Sequence, residues 1–236
     1  GSVESNKFLN QNYPNIKSAT LLEDVLNDPS IEAVAVATPT QTHFEIALQV
    51  LMAGKHLFLE KPGTSSSNEL EKLCREAEKQ KSVFAVGYEF VHHPVLKKIK
   101  ELLITTELRG IYFEWSKWGS FGNPVISNLI SHDISVIKAL GIDSLNLKNY
   151  FEQKVISDGD ITRLEFEGSN NILITSYINR VSNNKNKSIT FVGNEKSYLW
   201  DNNDLFEIDY KKQMTVPISI SNISSVSQEI TDFLNS

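Results

Sequence analysis

Between residues 31 and 62 the chain reads IEAVAVATPTQTHFEIALQVLMAGKHLFLEKP, and its apolar spacing changes period twice. Residues 31–37 form a short β-branched run, which predicts a strand buried on both faces of a parallel sheet and stopped by Thr38-Pro39. Phe44, Ala47, Leu48 and Leu51 then fall at i, i+3, i+4 and i+7, a helical face that Thr40 or Thr42 can cap and Gly54 can end. Residues 56–60 predict the second strand of this strand-helix-strand unit. Upstream, 6–13 and 21–26 read as short helices. Downstream, Ser66 and Glu69 make a capping box for a helix reaching about Gln80, with Leu70, Leu73, Cys74 and Ala77 on its apolar side. Residues 83–88 predict another buried strand, and Pro94 opens a helix over 95–104 with Leu96, Ile99 and Leu103 inward.

From Arg109 the period shortens to two. Residues 111–118, 147–156, 160–167, 172–181, 188–192, 197–200 and 205–210 predict strands, separated by turn clusters at 158–160, 168–171 and 183–186. One helix, 125–140 with Gly141 as its stop, interrupts them, and an amphipathic helix opens at 226–234. The fold class expected is α/β plus α+β: a parallel-sheet part over 1–108, then a mostly antiparallel sheet domain over 109–236 with a helix on one face. The other face is then open, and the alternating strands ITRLEFE and ILITSYINRV would cover it best with a second copy, so a homodimer or higher homo-oligomer is expected.

Composition narrows the classes. With 40% hydrophobic residues, 22% charged residues and a net charge of -6, the chain has the balance of an ordinary water-soluble protein of one large or two small domains. No nucleic-acid partner is expected, because Lys97, Lys98 and Lys100 beside Glu101 read as a solvated helix face. No apolar run has membrane-spanning length and Gly1-Ser2 reads as a cloning remnant, which makes the cytoplasm the default compartment. Cys74, the one cysteine, is expected as a core thiol. Five histidines without CxxC or HxxxH spacing give no expected metal site.

Candidate chemistry gathers at strand ends. In an open α/β sheet the ligand lies outside the carboxyl ends of the strands, which points Thr38, Pro39, Thr40, Glu60, Lys61 and Pro62 at one crevice. Pro62 restricts Lys61 to extended backbone, although a Lys-Pro pair alone would read as a surface turn. Asn128 and His132 are four apart and share a helix face, while Asp133 points elsewhere and is expected to pair within the structure. Considered alone, His132 would be a satisfied core histidine.

The segments ATPTQTH (37–43), AGKHLFLEKP (53–62), AVGYEF (85–90) and SHDISVIKALG (131–141) stand in the order and spacing of the Gfo/Idh/MocA oxidoreductases, which the chain resembles from about Lys7 onward. The resemblance implies an incomplete Rossmann-like sheet, NAD or NADP as cofactor, and oxidation of a secondary alcohol on a sugar, nucleotide-sugar or cyclitol. It implies that His132 takes the hydroxyl proton with Asn128 orienting it, and that Lys61 stabilises the developing alkoxide. It places Thr38, Pro39, Thr40, His43 and Glu60 along the nicotinamide-ribose side, and Tyr88, Trp118 and Asn123 in a substrate wall. Two departures accompany it. The family often has aspartate where Asn128 stands, and an asparagine orients an imidazole without charging it. The first glycine after Gly1 is Gly54, so no GxGxxG turn precedes the first strand, and a βαβ opening is expected upstream of Asn6 with further segments after Leu234. With only the edge of that sheet present, Val34, Val36 and Leu57 would be exposed. The alternative functional reading is a non-catalytic remnant, a dimerising sugar-binding scaffold; a third keeps the redox step but uses it to assist elimination or glycoside cleavage.

Overall fold

The computed structural model describes residues 3–119, 121 and 125–236. They divide into two compact units, one running to Gly87 together with Asn235–Ser236, the other Tyr88–Leu234. The division falls before the expected 108/109 boundary because the helix Pro94–Leu103 (α5 below) buries Val95, Leu96 and Ile99 in the core of the second unit.

The first unit runs α1 (Val3–Asn12), α2 (Leu22–Leu26), β1 (Ala33–Val36), α3 (His43–Met52), β2 (His56–Glu60), α4 (Ser67–Gln80) and β3 (Phe84–Gly87). Its strands pair in parallel in the order β1-β2-β3, from Ala33 opposite His56 to Glu60 opposite Gly87. Leu57, Leu59 and Val36 pack with Ala47, Val50 and Leu51 of α3 and Leu73 and Ala77 of α4. Val36 and Leu57 are therefore buried, contrary to expectation, because the two helices cover the side chains whatever happens at the backbone edge. Val34 is half-buried and Ala35 exposed, so β1 is not covered on both faces either.

Local chemistry in this unit differs from the pattern in three places. The inward face of α3 is His43, Ala47, Val50 and Leu51, with Phe44 and Leu48 half-buried, a rotation caused by His43 turning into the interior. Neither threonine caps α3: a 3₁₀ turn, Thr40–Thr42, leads into it and the Thr42 hydroxyl donates to the Pro39 carbonyl at 2.8 Å. The Ser66 cap holds, its Oγ accepting from Glu69 N at 3.3 Å. Cys74, however, is exposed, because the buried line of α4 is centred on Leu73 and Ala77 and leaves Cys74 on its outer flank.

The second unit adds α5 and then β4 (Leu108–Trp118), α6 (Ser131–Ala139), β5 (Leu145–Gln153), β6 (Ile161–Gly168), β7 (Leu173–Asn179), β8 (Val181–Gly193), β9 (Lys196–Asp201), β10 (Asp204–Asp209), β11 (Met214–Ile218) and α7 (Ser225–Leu234). The eight strands form one sheet in the order β11-β10-β9-β8-β4-β7-β6-β5, antiparallel except where β4 pairs β7 in parallel. One face carries α5 and α6: Leu96, Ile99, Val136 and Ile137 pack on Ile111, Phe113, Ile174, Ile189 and Phe191. A parallel-sheet α/β part followed by a mostly antiparallel sheet with helices is the fold class expected.

Three details were not legible. The 183–186 cluster is not a turn but the start of β8, whose backbone pairs with β4 across a register shift between Ser116 and Trp118. β11 was missed because it contains Pro217, which an edge strand tolerates. The helix over 125–140 is not uniform: Ile126–Ile130 is a π-helical turn before α6 begins, and Gly141 ends α6 at φ 77°.

Candidate functional site

Each unit gathers polar groups at one place, and each place is built differently. In the first unit, the carboxyl ends of β1 and β2 are tied together by His43, which is only 1% exposed. Its Nε2 lies 2.7 Å from the Thr38 carbonyl oxygen, and its Nδ1 lies 3.0 Å from that of Pro62 and 3.3 Å from that of Gly63. The ring thus fixes the distance between the Thr38-Pro39 stop and the turn after Lys61. Thr38 and Pro39 stay exposed, and Thr40, Glu60 and Lys61 are half-buried. The Lys61–Pro62 peptide is cis. Gly87 completes the arrangement: a Cβ there would stand 3.3 Å from Glu60 Oε2 and 3.0 Å from Phe58 Cζ, so glycine makes room for the Glu60 carboxylate over β3.

Of the residues expected to hold a nicotinamide, Thr38, Pro39, Thr40, Glu60 and Lys61 lie along these strand ends, and His43 lies beneath them as the strut. The exposed Thr38 hydroxyl and the half-buried Lys61 ammonium suit a polar carboxamide and ribose. That half of a dinucleotide site fits the residues present.

In the second unit, a cavity of about 190 Å³ opens beside His132 at the start of α6, lined by Phe90, Trp115, Leu129, Arg180 and Lys187 among others. His132 is 8% exposed and meets the Phe90 ring edge-on at 4.8 Å between centroids, while Phe90 meets Trp115 at 5.6 Å. Asp133 faces the other way, as expected. Trp115 Nε1 donates to its Oδ1 at 2.8 Å, and Ser176 Oγ is hydrogen-bonded to its Oδ2. Burial raises the Asp133 carboxyl to about 7, against the lowering effect of those two hydrogen bonds.

A second buried aspartate holds Arg180, one of the residues that line the cavity. Asp160 accepts backbone N–H bonds from Val155, Ile156 and Ser157 and a hydroxyl bond from Ser157, and pairs with Arg180 at 3.4 Å. Burial opposes its charge, but the donors from Ser157, Ile156 and Val155 win and hold the carboxyl down to about 2.

The remaining candidates fall at several places in the second unit. Asn128 is half-buried in the π-helical turn Ile126–Ile130 that leads into α6, four residues before His132. Tyr88 lines a separate apolar groove with Val91, Ile134 and Ala139. Trp118 is 62% exposed and stacks edge-on against Phe121. Asn123 lies outside the described residues. The tryptophan beside His132 is Trp115, at 6.4 Å between ring centroids and three positions before the one singled out from sequence, and alternation along β4 is the signal that could have found it. His93 caps α5, with Nδ1 accepting from Val95 N at 3.2 Å, and His56 Nδ1 accepts from Val83 N at 2.9 Å.

Residues 2–88 match the family model described as an oxidoreductase family with an NAD-binding Rossmann fold, GFO_IDH_MocA, and over this stretch the chain is similar to that family. It is 37% identical over 76 residues to the scyllo-inositol 2-dehydrogenase (NADP(+)) of Bacillus subtilis, covering 32% of this chain and 21% of that enzyme. Across the first curated relatives the match spans 21–28% of their length. Among solved structures, UDP-N-acetylglucosamine 3-dehydrogenase from Acidithiobacillus ferrooxidans aligns with TM-score 0.88 at 20% identity, covering 99% of this chain and 78% of that one. An inositol dehydrogenase homolog from Azotobacter vinelandii, complexed with NADH and myo-inositol, aligns with TM-score 0.72 at 20% identity, covering 86% and 61%. At these identities the structural likeness shows the fold.

Proposed function

We propose that the protein is an NAD(P)-dependent oxidoreductase acting on a secondary alcohol of a sugar, nucleotide-sugar or cyclitol. The observation that carries this reading is the strand-end arrangement of the first unit, where a buried histidine fixes the Thr38-Pro39 stop against the EKP turn and leaves the Lys61 side chain at the carboxyl end of β2. The bound nicotinamide would supply hydride acceptance or donation. Lys61 would supply a positive hydrogen-bond donor to an oxygen on which charge develops. His132, held in an aromatic wall, would take the hydroxyl proton in oxidation and return it in reduction. Asn128 would orient that base without charging it. Thr38, Pro39, Thr40 and Glu60 would bind the nicotinamide ribose, and His43 would hold them in register.

Calorimetric titration of NADH and NADPH into the chain tests the cofactor part. Saturable binding of either supports the reading; binding of neither would leave a sugar-binding scaffold. For turnover, Lys61→Ala and His132→Ala are each expected to lower kcat more than about tenfold with unchanged circular dichroism. Unaltered rates in both variants would overturn the roles.

The same reading extends to assembly. The sheet face opposite α5 and α6 presents Tyr112 at 47% exposure and Leu173 at 60%, with Tyr177, Phe206 and Leu199 half-buried on the same side. A second copy of the chain would cover this face, making a homodimer through the second unit. Leu173→Glu should turn a dimer into a monomer by light scattering, and a mass unaffected by that change would count against the interface.

A further inference from the structure

The cavity beside His132 has a charge pattern that alcohol oxidation alone does not call for. The chain carries a net charge of -6, yet Lys117, Lys185 and Lys187 all line this small space, with Glu89 the one carboxylate among its walls. Among the described residues none of the three lysines is in an ion pair, although thirteen such pairs form elsewhere, most of them at the surface. Arg180 is different. Its guanidinium is committed to Asp160, the Asp158 carbonyl and Ser157 Oγ beneath the cavity.

Lys187 is the most constrained of the three. Its side chain is half-buried, with Nζ 4.0 Å from the Phe90 ring centroid and 5.5 Å from that of Trp115. The aromatic faces hold the ammonium electrostatically but give its protons no acceptor. Burial lowers its pKa below the ordinary lysine value; Glu89 counteracts this and Lys185 adds to it. Glu89 sets one negative charge against the three lysines of the pocket, and a bound anion would balance the remaining charge around the half-desolvated Lys187.

We propose that this pocket selects a monosaccharide bearing one anionic substituent, a carboxylate or a phosphate, with Lys187 as the buried anchor and Lys185 and Lys117 as rim partners. The cavity volume suits this class, since about 190 Å³ is below the roughly 300–1,000 Å³ of pockets for larger ligands. His132 lines the same cavity, so a sugar anchored by its anionic group at Lys187 has its ring hydroxyls in the space beside that imidazole. The proposal deepens the dehydrogenase reading and rests on it for the identity of the reacting group, but the binding itself needs no cofactor.

The experiment is equilibrium binding to the full chain without nucleotide, by ligand-observed NMR, of glucuronate, glucose 6-phosphate and glucose. One of the two anionic sugars is expected to bind at least about tenfold tighter than glucose, the gain of a charge-assisted hydrogen bond. Preference for glucuronate assigns a sugar acid, and preference for glucose 6-phosphate assigns a sugar phosphate. Lys187→Met, which keeps the stem over the aromatic rings, and the exposed Lys185→Met should each reduce that preference, and raised salt should weaken it. Equal affinity for all three sugars, or a preference untouched in both variants, overturns the proposal. Failure of NADH and NADPH to bind would leave this result standing, so the two readings fail separately.

Discussion

The two units solve the same problem, burying polar groups, in opposite ways. In the first, the buried His43 and Lys55 spend their hydrogen bonds on backbone carbonyls within a few dozen residues of themselves: His43 on Thr38, Pro62 and Gly63, Lys55 on Asp28 at 2.8 Å and Ile31 at 2.7 Å. These contacts fasten loops to strand ends and leave the strand ends open for a ligand. In the second unit, side chain meets side chain across the sheet: Asp133 with Trp115 and Ser176, Asp160 with Arg180 and Ser157, Lys187 over Phe90 and Trp115. A scaffold that offers a fixed crevice needs only local ties. A wall that selects a substrate needs charged groups held part-way out of water, and those require partners from distant strands.

The contrast is sharpest between the two aspartates of the second unit. Both are buried, at 1% and 0% exposure, yet their carboxyls move to about 7 and about 2. Asp160 collects three backbone N–H donors whose direction cannot reverse, in addition to the Ser157 hydroxyl. Asp133 has one indole N–H and the Ser176 hydroxyl, which can turn and accept a hydrogen bond from the protonated acid instead. Burial favours the neutral acid in both, and only the first donor set outweighs it.

The largest effect should come from breaking the better-satisfied aspartate. Asp160→Ala strands the donors of 155–157 and leaves Arg180 buried without its carboxylate, and loss of a cooperative melting transition at 37 °C is expected in calorimetry. In wild type the lowered pKa of Asp160 means that its stabilisation is present above about pH 4 and is lost as pH falls towards 2, because the unfolded chain then binds the extra proton.

Next is the strut of the first unit. His43→Ala removes the ring packed between the Thr38 and Pro62 carbonyls and with it the one N–H that either tautomer donates to them, a loss of about 1–3 kcal/mol by denaturant titration. It should also weaken any nucleotide binding, since Thr38 and Lys61 lose their common brace. Unchanged stability would mean that the two strand ends hold their spacing without it.

Asp133→Asn should act through pH. The raised carboxyl binds a proton in the folded state between about pH 4 and 7 that the unfolded chain does not, so wild-type stability falls as pH rises through that window. Asparagine mimics the neutral acid: its carbonyl accepts from Trp115 and its amide donates to Ser176. The variant should flatten the slope and melt higher than wild type at pH 8. A slope that persists would assign the dependence to another group.

The smallest effect belongs to Cys74→Ser. The thiol is exposed on α4, so the change should alter stability by no more than about 0.5 kcal/mol, whereas a core position would lose much more. Rapid labelling of Cys74 by a thiol reagent in the native protein is the companion test.

The sequence by itself determined the elements whose signals are local. The β-branched run at 33–36, the Ser66 cap, Gly54 and Gly141 at positive φ, and Pro94 at a helix start each depend on residues a few positions apart. It also determined the EKP turn and the His132 helix, because a strand end and a helix face concentrate function into short motifs. What only the tertiary structure decided required neighbours far along the chain. Cys74 and Leu70 could not be ranked until β1 to β3 chose which side of α4 to cover. Residues 183–186 look like a turn, yet they lie within β8, where Asn186 pairs with Ser116 and Val181 with Trp118 and the residues between them bulge from the ladder. Lys187 sits inside that same polar run and acquires meaning only where Phe90, Trp115 and His132 meet it. Periodicity records which face is buried, but the choice of partners on that face belongs to the packed sheet.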